Sequence, residues 1–368
     1  MRHFETCKKV VVKAGTSILT STHGHFSEAR LNGLGEQVAG LFAMGKQVTL
    51  VSSGAIGCGM DVLGLKKRPR EMALLQACAA IGQGKLIHAY EKFFFKKGIP
   101  TAQVLLTRDG LEQRDRFLKA RQTFSELLRL GALPIVNEND TVSTEEIAFG
   151  DNDILSVHVA HLVQADLLII LSDVDGFFLT DGTRVRRVGS ELEIDRDLVK
   201  HLRGKAGEKT VGGMRAKLEA ARVAMRLGIP LLLVNGGEEQ VLSRALRNED
   251  VGTYFLPGGK QYSAKKNWIA FSAKQKGVLV IDEGAAVAVG KGDKSLLMGG
   301  VTGMRGNFRR KDVVLIETQE GQAVGRGVVR YDAGDLGRVL GKKLAEAKEI
   351  LGSAFSGEVI LRDNLIIW

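Results

Sequence analysis

Two acidic loops are the segments of this chain whose residue types could do chemistry: VNENDTVS (Val136 to Ser143) and FGDNDILS (Phe149 to Ser156). They lie downstream of one lysine at a glycine-bearing strand end, VVVKAGTS (Val10 to Ser17). Carboxylates and amides together suit a small cationic ligand that also carries carboxylates, and a lysine among glycines suits a polyphosphate beside it. An acidic loop in isolation is usually a solvated turn. Its joint occurrence with the lysine and with further glycine and hydroxyl loops favours a site at the edge of a sheet, where open α/β sheets bind their ligands.

Lys13 follows the apolar run Val10 to Val12 and precedes Ala14, Gly15 and Thr16, so an ammonium and backbone N–H groups converge where a phosphate could sit. This is not a P-loop, because GxxxxGK[ST] and GxGxxG are both absent from the chain. VSSGAIGCGM (Val51 to Met60) again follows a strand and offers hydroxyls at Ser52 and Ser53, in a turn that needs glycine backbone freedom. EKTVGGMRAKLEAA (Glu208 to Ala221) reads as a glycine pair opening a helix whose first turns carry Arg215 and Lys217, and a positive helix end favours phosphate. LSDVDGFF (Leu171 to Phe178) places Ser172 and Asp173 after a buried strand, and its DxDG lacks the remaining ligands of a calcium loop. His158 and His161 stand three apart on a helix with no third ligand nearby, so no metal site is expected.

The elements that must position these groups are legible over the first 240 or so residues. KKVVVKAG, KQVTLVSSG, TAQVLLT, ALPIVNE, DLLIILSDV and IPLLLVNGG are short apolar runs closed by small polar residues, with helix-length segments between most of them. Continuous apolar strands alternating with helices imply class α/β, with a parallel sheet covered on both faces. Helices are expected over Glu112 to Leu130, Asp153 to Val163 and Arg215 to Leu227.

Beyond Asn235 the texture changes. Residues Leu256 to Lys276, with Gly258, Gly259 and scattered lysines, read as a linker. From Gly277 short strands with glycine turns follow (VLVIDEGAAVAV, GGVTGMRGNF, KDVVLIET, QAVGRGVVRY, EVILRDNLII), together with a helix around Asp335 to Glu349. This describes a small, mostly β domain.

Composition bounds the function. A chain of 368 residues with 44% apolar residues can bury a sizeable core. The formal net charge of +10 invites a nucleic-acid reading, yet residues 275–368 carry only +2, so the surplus is spread thinly. Three scattered cysteines, Cys7, Cys58 and Cys78, offer neither a disulfide framework nor a CxxC metal site and fit a reducing cytosol. No export signal or membrane span is expected, which points to a cytoplasmic protein.

The strand-end lysine, VSSGAI, REMALLQACAAIGQ (Arg70 to Gln83), LPIVNENDTVS, FGDNDILS, the Ser172–Asp173 loop and GGMRAK together resemble the amino acid kinase family. Within it they resemble the members that phosphorylate the side chain of glutamate at the start of proline biosynthesis. IDEGAAVAV, SLLMGGVTGMRGNF and GRGVVRY resemble the PUA domain appended to many bacterial members. The likeness covers nearly the whole chain, with small departures at KAGT and SDVDGFF. It implies a three-layer α/β kinase domain over residues 1–255, a linker over 256–276 and a PUA-like domain over 277–368.

The resemblance also implies ATP, with Mg²⁺ carried by its phosphates rather than by a protein metal site. Lys13 and Lys217 would neutralise the transferring phosphoryl while Asp153 orients them. Asp140 would take the ammonium of L-glutamate, and Ser53 and Asn152 its carboxylates. Lys13, Ser172, Asp173, Val211, Gly212, Gly213, Met214 and Lys217 would hold the nucleotide. Proline as feedback inhibitor, a downstream glutamyl phosphate reductase and a homodimer or homotetramer complete the implied setting.

Two other readings compete. Another phosphotransferase of the family, acting on a phosphorylated substrate, would need arginines where this chain has Asp140, Asp151 and Asp153. An RNA-binding role through the PUA-like domain is disfavoured by its near-neutral charge, since affinity scales with the number of phosphates neutralised.

Overall fold

The computed structural model of the chain describes residues 3–21, 25–142, 152–198, 209–258, 264–290 and 294–367. The chain divides into two compact units: Met1–Gly110 with Asp115–Gln261, and Tyr262–Trp368 with the short segment Leu111–Arg114.

The first unit is built on an eight-stranded sheet. All six apolar runs of its sequence are strands: β1 (Lys9–Ala14), β2 (Gln47–Ser52), β3 (Thr101–Leu106), β4 (Leu133–Glu138), β5 (Leu167–Ser172) and β9 (Leu231–Asn235). These six are mutually parallel, in the order β3-β4-β2-β1-β5-β9. Three two-residue strands lie between β5 and β9 in sequence: β6 (Phe177–Phe178), β7 (Arg184–Val185) and β8 (Arg187–Val188). β10 (Thr253–Phe255) runs antiparallel to β9 and carries β8 at the sheet edge, while β6 and β7 form a separate hairpin.

The path explains where a ligand can enter. From β1 the chain moves to β2, reaches the β3 edge, returns through β4 and crosses to the opposite side of β1 as β5. A change of direction of this kind opens a crevice beyond the carboxyl ends of the central strands. Ala14, Ser52, Glu138, Ser172 and Asn235, the last residues of five strands, all lie at that edge.

Side chains alternate faces along a strand. Val10, Val12 and Ala14 of β1 enter a core shared with Leu31, Leu34, Val38 and Leu41 of α2 (Glu28–Ala43) and with Leu86, Tyr90 and Phe94 of α4 (Met72–Phe95). Lys13 has the opposite parity and therefore faces the other side, against which α7 (Asp153–Val163) packs. Every residue of α7 except Ile154 is buried, the polar Asp153, Ser156, His158 and His161 included, so the helix is packed on nearly every side. Between β2 and α4, α3 (Ala55–Val62) meets α4 at backbone contact: a Cβ on Gly59 would lie 1.8 Å from the Cys78 carbonyl oxygen, and one on Gly82 1.8 Å from that of Ala55. No side chain fits at either position, and this close approach sets the placement of α4 against the end of β2.

Several expectations are corrected. The helix expected over Glu112 to Leu130 is two, α5 (Arg108–Glu112) and α6 (Arg114–Arg129), interrupted at Gln113. The Leu111 carbonyl, which an unbroken helix would give to the amide four residues on, accepts the indole N–H of buried Trp268 at 3.2 Å. The expected linker is in part folded: α11 (Ala264–Asn267) leads into a wide turn, Trp268–Ser272, and Trp268, Ile269, Ala270 and Ala273 are buried in the second unit. The Arg326 guanidinium secures that turn by donating to the carbonyls of Ala270 (2.7 Å) and Ala273 (2.6 Å).

The second unit holds a five-stranded sheet in the order β13 (Val301–Arg305), β11 (Gln275–Ile281), β14 (Val313–Thr318), β15 (Ala323–Val328), β17 (Leu365–Ile367), and a two-stranded pair, β12 (Leu296–Leu297) with β16 (Glu358–Ile360). Its GAAVAV stretch is a helix, α12 (Glu283–Gly290), rather than the continuation of a strand, because the Asp282 carboxylate caps the Ala285 N–H at 2.7 Å. The helix expected around Asp335 to Glu349 is again two, α13 (Ala333–Val339) and α14 (Leu344–Leu351), separated where Gly341 adopts a φ of +74°.

Candidate active site

Lys13, Asp153 and Lys217 come together although some 200 residues separate them in sequence. Asp153 is fully buried in the first turn of α7, where a carboxylate is favoured by the positive helix end. Its Oδ1 lies 2.6 Å from Lys13 Nζ and its Oδ2 3.1 Å from Lys217 Nζ. Lys13 is 2% exposed and Lys217 15%. The trio carries one net positive charge, directed at the carboxyl edge of the central strands. A Cβ on Gly15 would lie 3.3 Å from Lys13 Nζ, so the glycine keeps that ammonium approachable. These contacts suit the binding of a polyanion, and each Asp153 oxygen is engaged by one lysine. Among the described residues no group of three or more His, Cys, Asp and Glu could hold a metal ion.

Beside the trio lies an amide and hydroxyl network at the ends of β2 and β4. The Asn152 Nδ2 donates to the Ser52 carbonyl (2.6 Å) and to Asn137 Oδ1 (2.8 Å), with Ser53 Oγ at 3.1 Å. The Ser52 carbonyl can only accept, so the nitrogen of the Asn152 amide must face it. What Asn152 keeps for a ligand is its Oδ1, an acceptor. Asn152 was expected to hydrogen-bond a substrate carboxylate; in this arrangement its N–H groups already have acceptors within the protein. Ser53, buried after β2, keeps a rotatable hydroxyl that can donate. The turn that presents it is held by Gly54, whose φ of +101° is strained for any other residue.

Asn137 and Tyr90 join this network and stand outside the residues expected from the sequence. Asn137 Oδ1 accepts from both Asn152 and the Glu138 N–H (2.9 Å), while its own Nδ2 donates to Gln83 Oε1 at 2.8 Å. A buried asparagine ending the apolar run Leu133 to Val136 was the available signal. Tyr90 bonds Ser52 through its hydroxyl at 3.0 Å.

Asp140 follows β4, partly buried. Burial pushes its carboxyl up to about 6, with neighbouring Glu138 adding to the rise and Arg68 opposing it. Ser172 ends β5 with its hydroxyl 3.1 Å from Asp173 Oδ1, and its carbonyl accepts the Gly236 N–H at 2.8 Å. Asp173 is exposed, whereas Asp175 of the same loop is held by Arg184 and by the Gly252 N–H. The glycine pair does not open its helix: α9 runs Lys209–Arg226, so Val211, Gly212, Gly213 and Met214 lie within its first turns. Lys217, one turn on, has its Nζ 3.5 Å from the Gly213 carbonyl. Phe149, Gly150 and Asp151 of the second acidic loop lie outside the described residues. His158 and His161 are buried in α7, His161 against the Phe117 ring at 5.4 Å.

The sequence profile of the amino acid kinase family matches residues 8–235, and that of the PUA domain residues 277–351. The chain belongs to the amino acid kinase family. Over its length it is similar to the glutamate 5-kinase of Caldanaerobacter subterraneus subsp. tengcongensis, 43% identical across 98% of this chain and 97% of that protein. It is likewise similar to the glutamate 5-kinase of Geobacter sulfurreducens, 40% identical over the same shares. A solved UMP kinase from Bacillus anthracis overlays 69% of this chain and 97% of its own at 18% identity, with a TM-score of 0.48.

Removing one partner from a buried charge cluster leaves the others uncompensated. Asp153→Ala should therefore destabilise the fold by about 3–5 kcal/mol, read from urea unfolding, with Lys217→Ala costing far less because that lysine reaches solvent. Equal effects of the two substitutions would show that Asp153 does not carry the buried charge balance.

Proposed function

We infer that the chain transfers the γ-phosphoryl group of ATP to the side-chain carboxylate of L-glutamate, giving L-glutamyl 5-phosphate, the first step of proline biosynthesis. The observation that carries this reading is the pair of lysines bridged by buried Asp153 beside the Ser53–Asn152 network, in a chain whose relatives over 98% of its length are glutamate 5-kinases.

The acceptor carboxylate is ionised at neutral pH, with a reference pKa of about 4.3, so no general base is needed. Catalysis then consists of holding the reacting oxygens in line and neutralising the charge that spreads over the transferring phosphoryl. Lys13 and Lys217 supply that neutralisation, and Asp153 fixes both ammoniums before substrate arrives. Mg²⁺ bound to the ATP phosphates would add to it, with phosphate oxygens as its ligands. Ser172, Asp173 and the Val211–Met214 turns of α9 bind the nucleotide. Ser53 donates to a glutamate carboxylate, while Asp140 and the Asn152 Oδ1 receive the ammonium.

The kinase chemistry belongs to residues 1–255, and the PUA-like residues 277–368 serve regulation or assembly. A cytosolic homodimer or homotetramer, inhibited by proline and followed by a glutamyl phosphate reductase, fits a labile acyl phosphate product. No helix among the described residues is long and apolar enough to cross a membrane.

Turnover with ATP, Mg²⁺ and a panel of acceptors tests the reading, with hydroxylamine present to trap acyl phosphates. L-Glutamate alone should give hydroxamate, and equal turnover of aspartate or UMP would contradict the assignment.

The raised Asp140 carboxyl adds a pH signature. Protonation removes the charge that attracts the ammonium, so kcat/KM for glutamate should fall as pH drops through about 6. By pH 5 the loss relative to pH 7 should reach about tenfold, while the KM for ATP stays level. Asp140→Asn should flatten the glutamate profile; a profile unchanged by the substitution would move the ammonium site elsewhere.

A further inference from the structure

Behind Ser53 and Asn152 lies a second layer of polar side chains, both from α4. Tyr90 is wholly buried, and its hydroxyl reaches Ser52 Oγ at 3.0 Å. Ser52 Oγ lies 3.3 Å from the Ser53 carbonyl, so a directed chain runs from the phenol through the serine hydroxyl to the Ser53 backbone. Burial raises the Tyr90 phenol above its ordinary value, which keeps it a neutral donor. On the other flank, Gln83 Oε1 accepts from Asn137 Nδ2 at 2.8 Å, leaving Asn137 Oδ1 to hold Asn152. The Asn152 amide is thus fixed by two acceptors, the Ser52 carbonyl and Asn137 Oδ1, and each of the two residues that carry them is held by one side chain of α4. Tyr90 and Gln83 stand seven residues apart, two helical turns, which puts them on the same face of α4. The backbone contacts of Gly59 and Gly82 hold that helix in place.

We propose that Tyr90 and Gln83 are positioning residues for glutamate: neither touches substrate, and together, through Ser52 and Asn137, they aim the Asn152 carbonyl oxygen at it. This inference rests on the reading of Ser53 and Asn152 as glutamate ligands. An acceptor site built from rotatable hydroxyls and amides gains affinity only if their orientations are fixed beforehand, since an amide turned by half a revolution would meet the substrate ammonium with its own N–H groups.

The test is a steady-state comparison of the full chain with Tyr90→Phe, Gln83→Met and Gln83→Glu, with glutamate and ATP varied separately. Tyr90→Phe and Gln83→Met should each raise glutamate KM by about fivefold or more, the scale of one lost buried hydrogen bond, with ATP KM within about twofold of wild type. Gln83→Glu keeps an acceptor for Asn137 and should restore glutamate KM to near the wild-type value. Variants that lower the melting temperature but leave glutamate KM in place would make Tyr90 and Gln83 structural only and overturn the inference. So would equal rises for glutamate and ATP, or a Gln83→Glu as impaired as Gln83→Met. Should Tyr90→Phe fail to fold, the two substitutions at partly exposed Gln83 decide alone. A wild-type chain without glutamate-dependent hydroxamate would overturn the proposed function as well, whereas an active wild type with unmoved variants overturns only the positioning role.

Discussion

The carboxylate of Asp153 between two ammonium groups is the interaction on which the rest of the site depends. Lys13 enters from a central strand and Lys217 from a helix two hundred residues later, and a buried lysine without a counter-charge is costly. One fully buried aspartate compensates both. Its position follows from local structure, because it opens α7, a helix otherwise buried among apolar side chains, where the helix end favours a negative charge. Two ammonium groups and one carboxylate thus meet at the carboxyl edge of the central strands, where the proposed function places the polyphosphate.

Geometry at the sheet edge supplies the other half. Because the strands are parallel and the chain reverses direction across β1, loops that are distant in sequence all arrive at the same edge. The two lysines come from β1 and α9, whereas the network of amides and hydroxyls comes from the ends of β2 and β4 and the residue before α7. The two sets share Asn152 and Asp153 as consecutive residues, one in each network. A shift of α7 would therefore disturb both at once, which is a physical reason for that helix to be buried on nearly every side.

Much of this was legible in the sequence. The six parallel strands were readable because a strand covered on both faces is a short unbroken apolar run, and VVVK and LLIIL have no competing interpretation as amphipathic helix. Lys13, Ser53 and Asp140 stood out close after such runs, whereas Asn152, Asp153 and Lys217 were singled out as site residues through the resemblance to the amino acid kinase family; the structure brings Lys13, Asp153 and Lys217 together. The misses have specific causes. GAAVAV reads as a strand on apolar content alone, yet the Asp282 cap commits it to a helix. Leu256 to Lys276 reads as a linker on its lysines and glycines, and only tertiary packing shows that Trp268 is buried. The direction in which the Asn152 amide points depends on the Ser52 carbonyl, a backbone group that no residue pattern reveals. Tyr90 and Gln83 were hidden for the same reason, since each acts on the site through a second side chain.

In the proposed reaction the two lysines act on the transferring phosphoryl rather than on glutamate. The most direct measurement is the kinetics of Lys217→Ala under saturating ATP and Mg²⁺. The account predicts a kcat lower by about 100-fold or more, the scale of losing one preorganised charge contact in the transition state, with glutamate KM within about twofold of wild type. An unchanged kcat, or a loss confined to glutamate KM, would contradict it.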